Sequence, residues 1–321
     1  MKFGIEILPD ISVKKIINLV KLAEDIGFEY VWVTDHYNNK NVYELLALLA
    51  YETETIKIGS GVSNPFLRNN AIIASAATTL DEISEGRAIL GIGPGDKATM
   101  EKLGVIWNKP ATTVKNAIVD INTLINGNCT DSGALLTGTS KIQDHIPIYM
   151  GAQGPVMLRS SGEVADGALI NASNYKDFEV AIPLIKKGLD NNNRSINNFD
   201  IGAYTACSIN SNIEKAYNAA RIVVAFIIAG SPEVVLNRHD INLKEANIIK
   251  EYLKNQEFKK ASNNITPKML NAFSVCGTPK DITEKIEKLD EIGVTQFVAG
   301  SPIGKDKEES LRLLADVIKS Y

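Results

Sequence analysis

Short apolar, β-branched runs alternate with amphipathic helical segments along the whole chain, and this alternation constrains the fold more than any other feature. We predict eight strands from it. They span residues 3–7, 29–34, 56–62, 88–92, 146–150, 167–170, 199–205 and 294–298. Strands that alternate with helices favour a parallel sheet, and eight such units close into a (β/α)8 TIM barrel. The sequence therefore predicts an α/β protein with one barrel domain over residues 1–321.

Helical segments lie where a barrel requires them, between successive strands. Helices are predicted over residues 13–26, 41–51, 70–80 and 281–292, and Gly27 and Gly293 provide C-terminal stops. The chain has 321 residues, whereas roughly 250 are usual for this barrel, so we expect two insertions. The insertion before the fifth strand, residues 127–144, is rich in turn residues and is predicted to carry short strands. The insertion after the seventh strand is predicted to contain helices over residues 212–228 and 243–256.

Composition narrows the classes of function. The chain has 34 Lys and Arg against 38 Asp and Glu, a net charge of −4, with no basic block, so no nucleic-acid partner is expected. The three cysteines and three histidines show no spacing of a metal or redox motif, so we expect no metal site and no disulfide framework. No apolar run approaches a membrane span and no targeting segment is recognised. The absence of a disulfide framework is typical of a reducing compartment, so we expect a cytoplasmic protein.

Polar residues occur at the C-terminal ends of the predicted strands, where such barrels hold their active sites. Because side chains alternate along a strand, Ile5 and Ile7 are expected to face the helices and Glu6 the barrel interior. A partly buried glutamate has a raised pKa and suits general-acid chemistry, whereas a solvated strand-end glutamate is the alternative. Asp35 and His36 point to opposite sides of an extended chain, so they do not form a catalytic dyad. Helix capping remains an alternative role for Asp35.

Three glycine-containing turns are candidates for backbone contact with a ligand. The sequence GSGV at residues 59–62 predicts a β-bulge that would bring backbone close to a flat ligand. The turn GIGPG at residues 91–95 lacks the spacing of a dinucleotide-binding motif. The turn GAQGP at residues 151–155 precedes a predicted helix over residues 156–164, so its amides are candidates for binding an anion such as phosphate. A tight strand-to-helix connection is the alternative for the last two turns.

Five separate blocks, in order, resemble a known family. They are KFGIE at residues 2–6, WVTDHYNN at 32–39, LGIGPGDKA at 90–98, PIYMGAQGP at 147–155 and GVTQFVAGSP at 293–302. Together they resemble the methylenetetrahydromethanopterin reductases of methanogenic archaea, which have a TIM barrel of the bacterial luciferase-like type. Any one block alone would indicate only the wider luciferase-like superfamily.

The resemblance implies a coenzyme and its binding residues. Reduced coenzyme F-420, an 8-hydroxy-5-deazaflavin that acts as a dissociable cosubstrate, would transfer a hydride to the methylene carbon of methylenetetrahydromethanopterin. Gly61 and Val62 are expected to form a bulge with a non-prolyl cis peptide that supports the deazaflavin ring. The remaining expected contacts are Asp35, His36 and Asn64 to the ring and its tail, and Gly151, Ala152, Gln153 and Gly154 to the coenzyme phosphate.

The resemblance also implies catalytic roles and an assembly. Glu6 is expected to be the general acid, and Asp96 to orient the pterin or tune Glu6. Gln153 is a weaker candidate for orienting the substrate. The resemblance further implies a homodimer or homotetramer.

Three alternatives remain open at this stage. One is another luciferase-like oxidoreductase that uses F-420 or FMN. Another is a barrel hydrolase in which Glu6 and Asp96 act as acid and base, as paired carboxylates do in glycosidases. A noncatalytic binding barrel is the third.

Overall fold

The computed structural model describes residues Met1–Tyr321 and contains nine strands. The strands are β1 (Lys2–Ile7), β2 (Tyr30–Val33), β3 (Lys57–Ser63), β4 (Ala88–Ile92), β5 (Ile148–Gly151), β6 (Gly167–Ile170), β7 (Asp200–Ile209), β8 (Val275–Gly277) and β9 (Gln296–Ile303). They hydrogen-bond in the order β6-β5-β4-β3-β2-β1-β9-β7-β8, and β6 also pairs with β7. The pairing of β6 with β7 closes an eight-stranded barrel, so the predicted (β/α)8 class is confirmed.

All eight predicted strands are present, and β8 is the additional one. Its three residues pair in parallel with the end of β7, with Cys207 opposite Val275 and Ile209 opposite Gly277. A three-residue strand is too short to show a periodicity, so the pattern analysis missed it. The last two barrel strands also extend beyond their predicted C-terminal ends, β7 to Ile209 and β9 to Ile303.

Fourteen α-helices accompany the strands. They are α1 (Val13–Asp25), α2 (Val42–Glu52), α3 (Asn70–Ile83), α4 (Lys97–Lys102), α5 (Pro110–Ile125), α6 (Pro155–Val164), α7 (Tyr175–Asp190), α8 (Ile213–Gly230), α9 (Glu233–Arg238), α10 (Leu243–Lys254), α11 (Phe258–Asn263), α12 (Pro267–Phe273), α13 (Pro279–Glu291) and α14 (Lys307–Ile318). The predicted helices correspond to α1, α2, α3, α6, α8, α10 and α13. No helix is both long and apolar enough to cross a membrane.

The prediction of short strands over residues 127–144 is wrong, because that segment contains no strand. Several of its backbone groups bond to side chains or within one tight turn, and none belongs to a β-ladder. The Thr130 N–H donates to the Ala134 carbonyl at 2.9 Å, and the Ala134 N–H donates to the Thr130 hydroxyl at 3.0 Å. The Asp81 carboxylate accepts from the N–H groups of Ile142 and Gln143. With these partners the segment is ordered as a loop.

By its internal contacts the chain divides into two compact units. The larger unit comprises Gly4–Ile170 and Pro183–Gly202, and the smaller unit comprises Met1–Phe3, Asn171–Ile182 and Ala203–Tyr321. In the smaller unit, the insertion after β7 packs its own apolar cluster, which includes Val224, Ile249 and Met269. The predicted helical insertion is therefore confirmed.

Aromatic side chains fill the interior of the larger unit. The Trp32 ring is fully buried and meets the Tyr149 ring edge-on at a centroid distance of 4.9 Å. Trp32 and Tyr149 belong to β2 and β5, which are not neighbours in the sheet, so both rings point into the barrel. The Tyr149 hydroxyl donates to the Asp200 carboxylate at 2.8 Å, and burial raises the pKa of this tyrosine.

Candidate active site

The predicted site residues all lie in the larger unit, at or just after the C-terminal ends of its strands. Glu6 lies near the end of β1, Asp35 and His36 follow β2, and the bulge residues end β3. Asp96 follows β4, and the turn that begins at Gly151 follows β5. Parallel strands present their C-terminal ends at the same edge of a sheet, and this edge is where barrel enzymes hold their active sites.

Glu6 faces the barrel interior, as predicted. It is opposite Trp32 in the parallel pairing of β1 with β2, and paired residues of neighbouring strands share a face. Since the Trp32 ring points inward, the Glu6 side chain does too. Glu6 is half-buried, whereas its neighbours Ile5 and Ile7 are fully buried. The structure therefore places the Glu6 carboxyl on the inner face of the barrel, near the C-terminal end of β1.

The end of β3 carries the predicted bulge. Its register with β4 shifts between Ser60 and Ser63, and the Gly61–Val62 peptide is cis. Both the bulge and the non-prolyl cis peptide are thus confirmed. The Val62 side chain lies beside Gly93, which directly follows β4, and Gly151, which ends β5.

Val62 occupies the space beside two glycines. A Cβ atom added to Gly93 would overlap with Cγ2 of Val62, and one added to Gly151 would lie 3.3 Å from the same atom. Gly91 also faces β3, and a Cβ there would overlap with the Ser60 carbonyl oxygen. The first two glycines of GIGPG therefore accommodate the bulged strand, a role that strand-to-helix connection alone does not explain.

The loop after β4 contacts side chains from two other segments, one after β3 and one after α4. Gly95 has a φ of 63°, and a Cβ there would overlap with Nδ2 of Asn64. The Trp107 indole N–H donates to the Pro94 carbonyl at 2.8 Å. Asn64 itself is buried, and its Oδ1 accepts from the Phe66 N–H at 2.8 Å. The loop is therefore ordered before it reaches Asp96.

Asp96 is the N-cap of α4 in this structure. Its Oδ1 accepts from the Thr99 N–H at 2.8 Å. Burial raises the pKa of this carboxyl, but hydrogen bonds from the Thr99 hydroxyl and N–H outweigh burial, so its pKa lies below the usual value. Asp96 is exposed and carries its negative charge at neutral pH. The helix-capping role that the sequence offered for Asp35 belongs to Asp96 instead.

Asp35 is part of a polar cluster that the sequence analysis did not identify. Its carboxylate accepts two hydrogen bonds from the Arg68 guanidinium, at 3.2 Å and 3.3 Å, and one from the Ser63 hydroxyl at 3.3 Å. Ser63 also shares a hydrogen bond of 2.9 Å with the Tyr43 hydroxyl. The Arg68 guanidinium lies 5.2 Å from the centre of the Tyr43 ring.

We call these four residues the Asp35 cluster: Tyr43, Ser63, Asp35 and Arg68. The cluster links the segment after β2 to the end of β3, to α2 and to the segment before α3. Burial raises the pKa of Tyr43 to about 12, against the lowering effect of the Ser63 hydrogen bond. The side chains of Asp35 and Arg68 are only 12% and 27% exposed. No pattern in the sequence predicted that these four residues would meet, because the bonded residues are 20 to 33 positions apart along the chain. By contrast, His36 is exposed.

The turn after β5 leads into α6 as predicted. Gly154 is the N-cap and Pro155 the first residue of the helix. Gln153 and Gly154 are exposed, whereas Ala152 is buried and its N–H donates to the Leu169 carbonyl at 3.0 Å. The Ala152 amide is therefore engaged in the sheet, so an anion at this helix N-terminus would be bound by the exposed part of the turn.

Comparison with known proteins identifies the family. The luciferase-like monooxygenase family model matches residues 1–296. The 5,10-methylenetetrahydromethanopterin reductase of Archaeoglobus fulgidus is 47% identical over 99% of this chain and 98% of its own length. The enzyme of the same name from Methanolobus tindarius is 48% identical over 99% of both chains.

Solved structures agree with this result. The coenzyme F-420-dependent tetrahydromethanopterin reductase of Methanopyrus kandleri superposes with a TM-score of 0.92 at 44% identity, over 100% of this chain and 99% of the other. An F-420-dependent secondary alcohol dehydrogenase, at 18% identity and a TM-score of 0.81, shares the fold and covers 99% of this chain and 98% of its own. With a luciferase-like barrel and nearly half of its residues identical to these full-length relatives, the chain belongs to the 5,10-methylenetetrahydromethanopterin reductase family.

Proposed function

We propose that this protein transfers a hydride from reduced coenzyme F-420 to 5,10-methylenetetrahydromethanopterin, giving 5-methyltetrahydromethanopterin in methanogenesis from CO2. The observation that carries the proposal is the full-length identity of 47% and 48% to reductases of that name. The coenzyme acts as a dissociable cosubstrate. The hydrolase and binding-barrel alternatives are not favoured, because neither class is found among these relatives.

The residues at the barrel mouth fit a planar coenzyme. Glycine at positions 93 and 151 leaves room for the Val62 side chain, so the bulge has a surface of backbone and one small apolar side chain. Gly61 and Val62 would support the ring, and Asp35, His36 and Asn64 would contact the ring and its tail. Gly151, Gln153 and Gly154 would hold the phosphate. When bound, the coenzyme supplies the hydride.

Glu6 holds the proton that the reaction needs. The substrate methylene bridges two nitrogens, and protonation of N10 opens the bridge to an electrophilic iminium at N5. Hydride attack on the methylene carbon is easy only after this opening. A positioned general acid contributes roughly 10² to 10⁴ in rate, and Glu6 is the inward-facing carboxyl of β1. Asp96 is proposed to orient the pterin or to act on Glu6 through its charge.

An anaerobic assay tests this function. Purified protein is mixed with reduced coenzyme F-420 and methylenetetrahydromethanopterin, and the visible absorbance of the oxidised coenzyme is followed. We expect rapid return of the band for the wild type and for Glu245→Gln, an exposed control on α10. In Glu6→Gln the rate should fall by about 10² or more.

Two results would contradict parts of the proposal. Equal rates in Glu6→Gln and wild type would remove Glu6 from its role and leave the reaction intact. No return in the wild type, together with no binding of coenzyme, would overturn the function itself.

We further propose that the chain acts as one domain, in the cytoplasm, as a homodimer or homotetramer. Neither compact unit is a continuous piece of chain, which supports a single domain. All three cysteines are free thiols, as suits a reducing compartment. Exposed apolar side chains on α2 and α3, among them Leu48, Tyr51 and Ile72, support self-association. Light scattering of the purified protein tests the assembly, and a molar mass of one chain would contradict it.

A further inference from the structure

Thr34, directly after β2, has a buried hydroxyl with no hydrogen-bond partner. The residue is 4% exposed. Its backbone is satisfied, since the Thr34 N–H donates to the Ile7 carbonyl at 3.1 Å and so continues the pairing of β1 with β2. Nearly all buried side-chain polar atoms in proteins have partners, and each exception calls for an explanation such as a functional role.

The Thr34 side chain is on the inner face of the barrel. Side chains alternate along a strand, and the Trp32 ring points inward because it meets Tyr149. Thr34 is two residues further on and therefore shares that face, one step nearer the mouth. Glu6 shares it too, as the register partner of Trp32. The unpartnered hydroxyl is thus on the same surface as the proposed acid.

Buried threonines elsewhere in the chain show what a structural hydroxyl does. The Thr78 hydroxyl on α3 donates to the Ser75 carbonyl at 3.0 Å, and the Thr53 hydroxyl donates to the Leu49 carbonyl at 2.7 Å. Each bonds to a backbone carbonyl of its own segment. Thr34 has no such bond, and the carboxylate of its neighbour Asp35 is engaged by Arg68 and Ser63. Local structure therefore does not account for a hydroxyl at position 34.

We propose that Thr34 is a coenzyme-binding residue whose hydroxyl bonds to the polar edge of the F-420 ring. β2 pairs directly with the bulged strand, with Val33 opposite Ser60, so Thr34 is beside the surface that would support the ring. Rotation about its Cα–Cβ bond exchanges the hydroxyl with the methyl group, which allows the oxygen to turn towards the mouth. The inference rests on the proposed function.

Thr34→Val tests this role, because it replaces the hydroxyl by a methyl group of nearly the same size. The melting temperature of the coenzyme-free variant should equal or exceed that of the wild type, since an unsatisfied buried hydroxyl is removed. Its Kd for coenzyme F-420, measured by fluorescence titration without pterin, should rise about tenfold, as expected for one lost hydrogen bond. Thr34→Ser, which keeps the hydroxyl, should bind nearly as the wild type does.

Thr78→Val is the matched control. It removes a buried hydroxyl that is hydrogen-bonded within α3, so it should lower the melting temperature and leave coenzyme binding unchanged. A loss of melting temperature in Thr78→Val but not in Thr34→Val, with weaker coenzyme binding only in the latter, separates a ligand-binding hydroxyl from a structural one.

Each of the following results would overturn the assignment. A lower melting temperature for Thr34→Val with unchanged coenzyme binding would make the hydroxyl structural. A higher KM for the pterin, with an unchanged Kd for the coenzyme, would show that the Thr34 hydroxyl contacts the pterin and not the coenzyme. If the wild-type protein binds no coenzyme F-420, the proposed function and the Thr34 assignment both fail. If the wild type binds the coenzyme and Thr34→Val binds it equally well, only the Thr34 assignment fails.

Discussion

A Cβ atom on Gly93 would overlap with Cγ2 of Val62, so the bulge in β3 and a side chain at position 93 exclude each other. Val62 is the residue proposed to support the coenzyme ring. The conformation of β3 therefore restricts the residue that directly follows β4 to glycine.

Gly93→Ala should displace Val62. We expect a loss of about 1–3 kcal/mol in the free energy of unfolding, as for other overpacked sites, together with weaker binding of coenzyme F-420. Denaturant unfolding and fluorescence titration measure the two effects. Gly138→Ala is the control, because nothing lies within 4 Å of a Cβ at that position.

Val62→Ala combined with Gly93→Ala should recover part of the lost stability, since the overlap involves a Val62 methyl group that alanine lacks. The two changes should then be non-additive, as is usual for residues in contact. Additive losses in the double variant would show that the overlap is relieved elsewhere.

Arg68→Met should leave the largely buried Asp35 carboxylate without its guanidinium partner. Loss of a partner from a buried charged group lowers the free energy of unfolding by about 2 kcal/mol or more. The Asp35 cluster, which includes the residue directly after the bulge, should then be less rigid, and the KM for the coenzyme should rise. Lys97→Met breaks an exposed pair with Glu101, whose side chains are 68% and 62% exposed, and such pairs contribute about 0–1 kcal/mol. Similar losses in both variants would mean that burial of the Asp35 cluster does not matter.

Asp96 combines a capping bond with a charge, and two substitutions separate them. Asp96→Asn keeps an acceptor for the Thr99 N–H, so its free energy of unfolding should match that of the wild type. Asp96→Ala removes the acceptor and should lower the free energy of unfolding by about 1 kcal/mol. If the charge orients the pterin or acts on Glu6, Asp96→Asn should still lower kcat/KM, by about tenfold, or 1.4 kcal/mol. Full activity in Asp96→Asn would leave capping as its only role.

His145 should make the stability of the fold depend on pH at values above 6.5. Its Nε2 lies 2.8 Å from the Asp166 carboxylate, and that hydrogen bond raises the pKa of His145 above 6.5. The pair therefore stabilises the fold fully below pH 6.5. This stabilisation is lost as the pH rises through the raised pKa.

Melting temperatures of the wild type and His145→Gln, measured from pH 5.5 to 9, check this dependence. The wild type should be the more stable at low pH, and the difference should shrink as the pH rises. A difference that is constant across this range would exclude titration of His145 as its cause.

The sequence alone determined the alternation of strands and helices, the inward direction of Glu6 and the bulge at residues 59–62. Each depends on periodicity or on residue type within a few positions, and both are local properties of the chain. Short strands over residues 127–144 were predicted wrongly, because the Asp81 carboxylate, 61 residues from Ile142 along the chain, satisfies that loop's backbone.

Only the tertiary structure decided which polar groups meet. In the Asp35 cluster, bonded residues are separated by 20, 28 and 33 positions along the chain. Their pairing arises where β2, β3 and α2 pack together, and no local pattern encodes it. The pairing of Asp35 has the same origin, because an aspartate can cap a helix or pair with an arginine, and Arg68, 33 positions away along the chain, donates to its carboxylate.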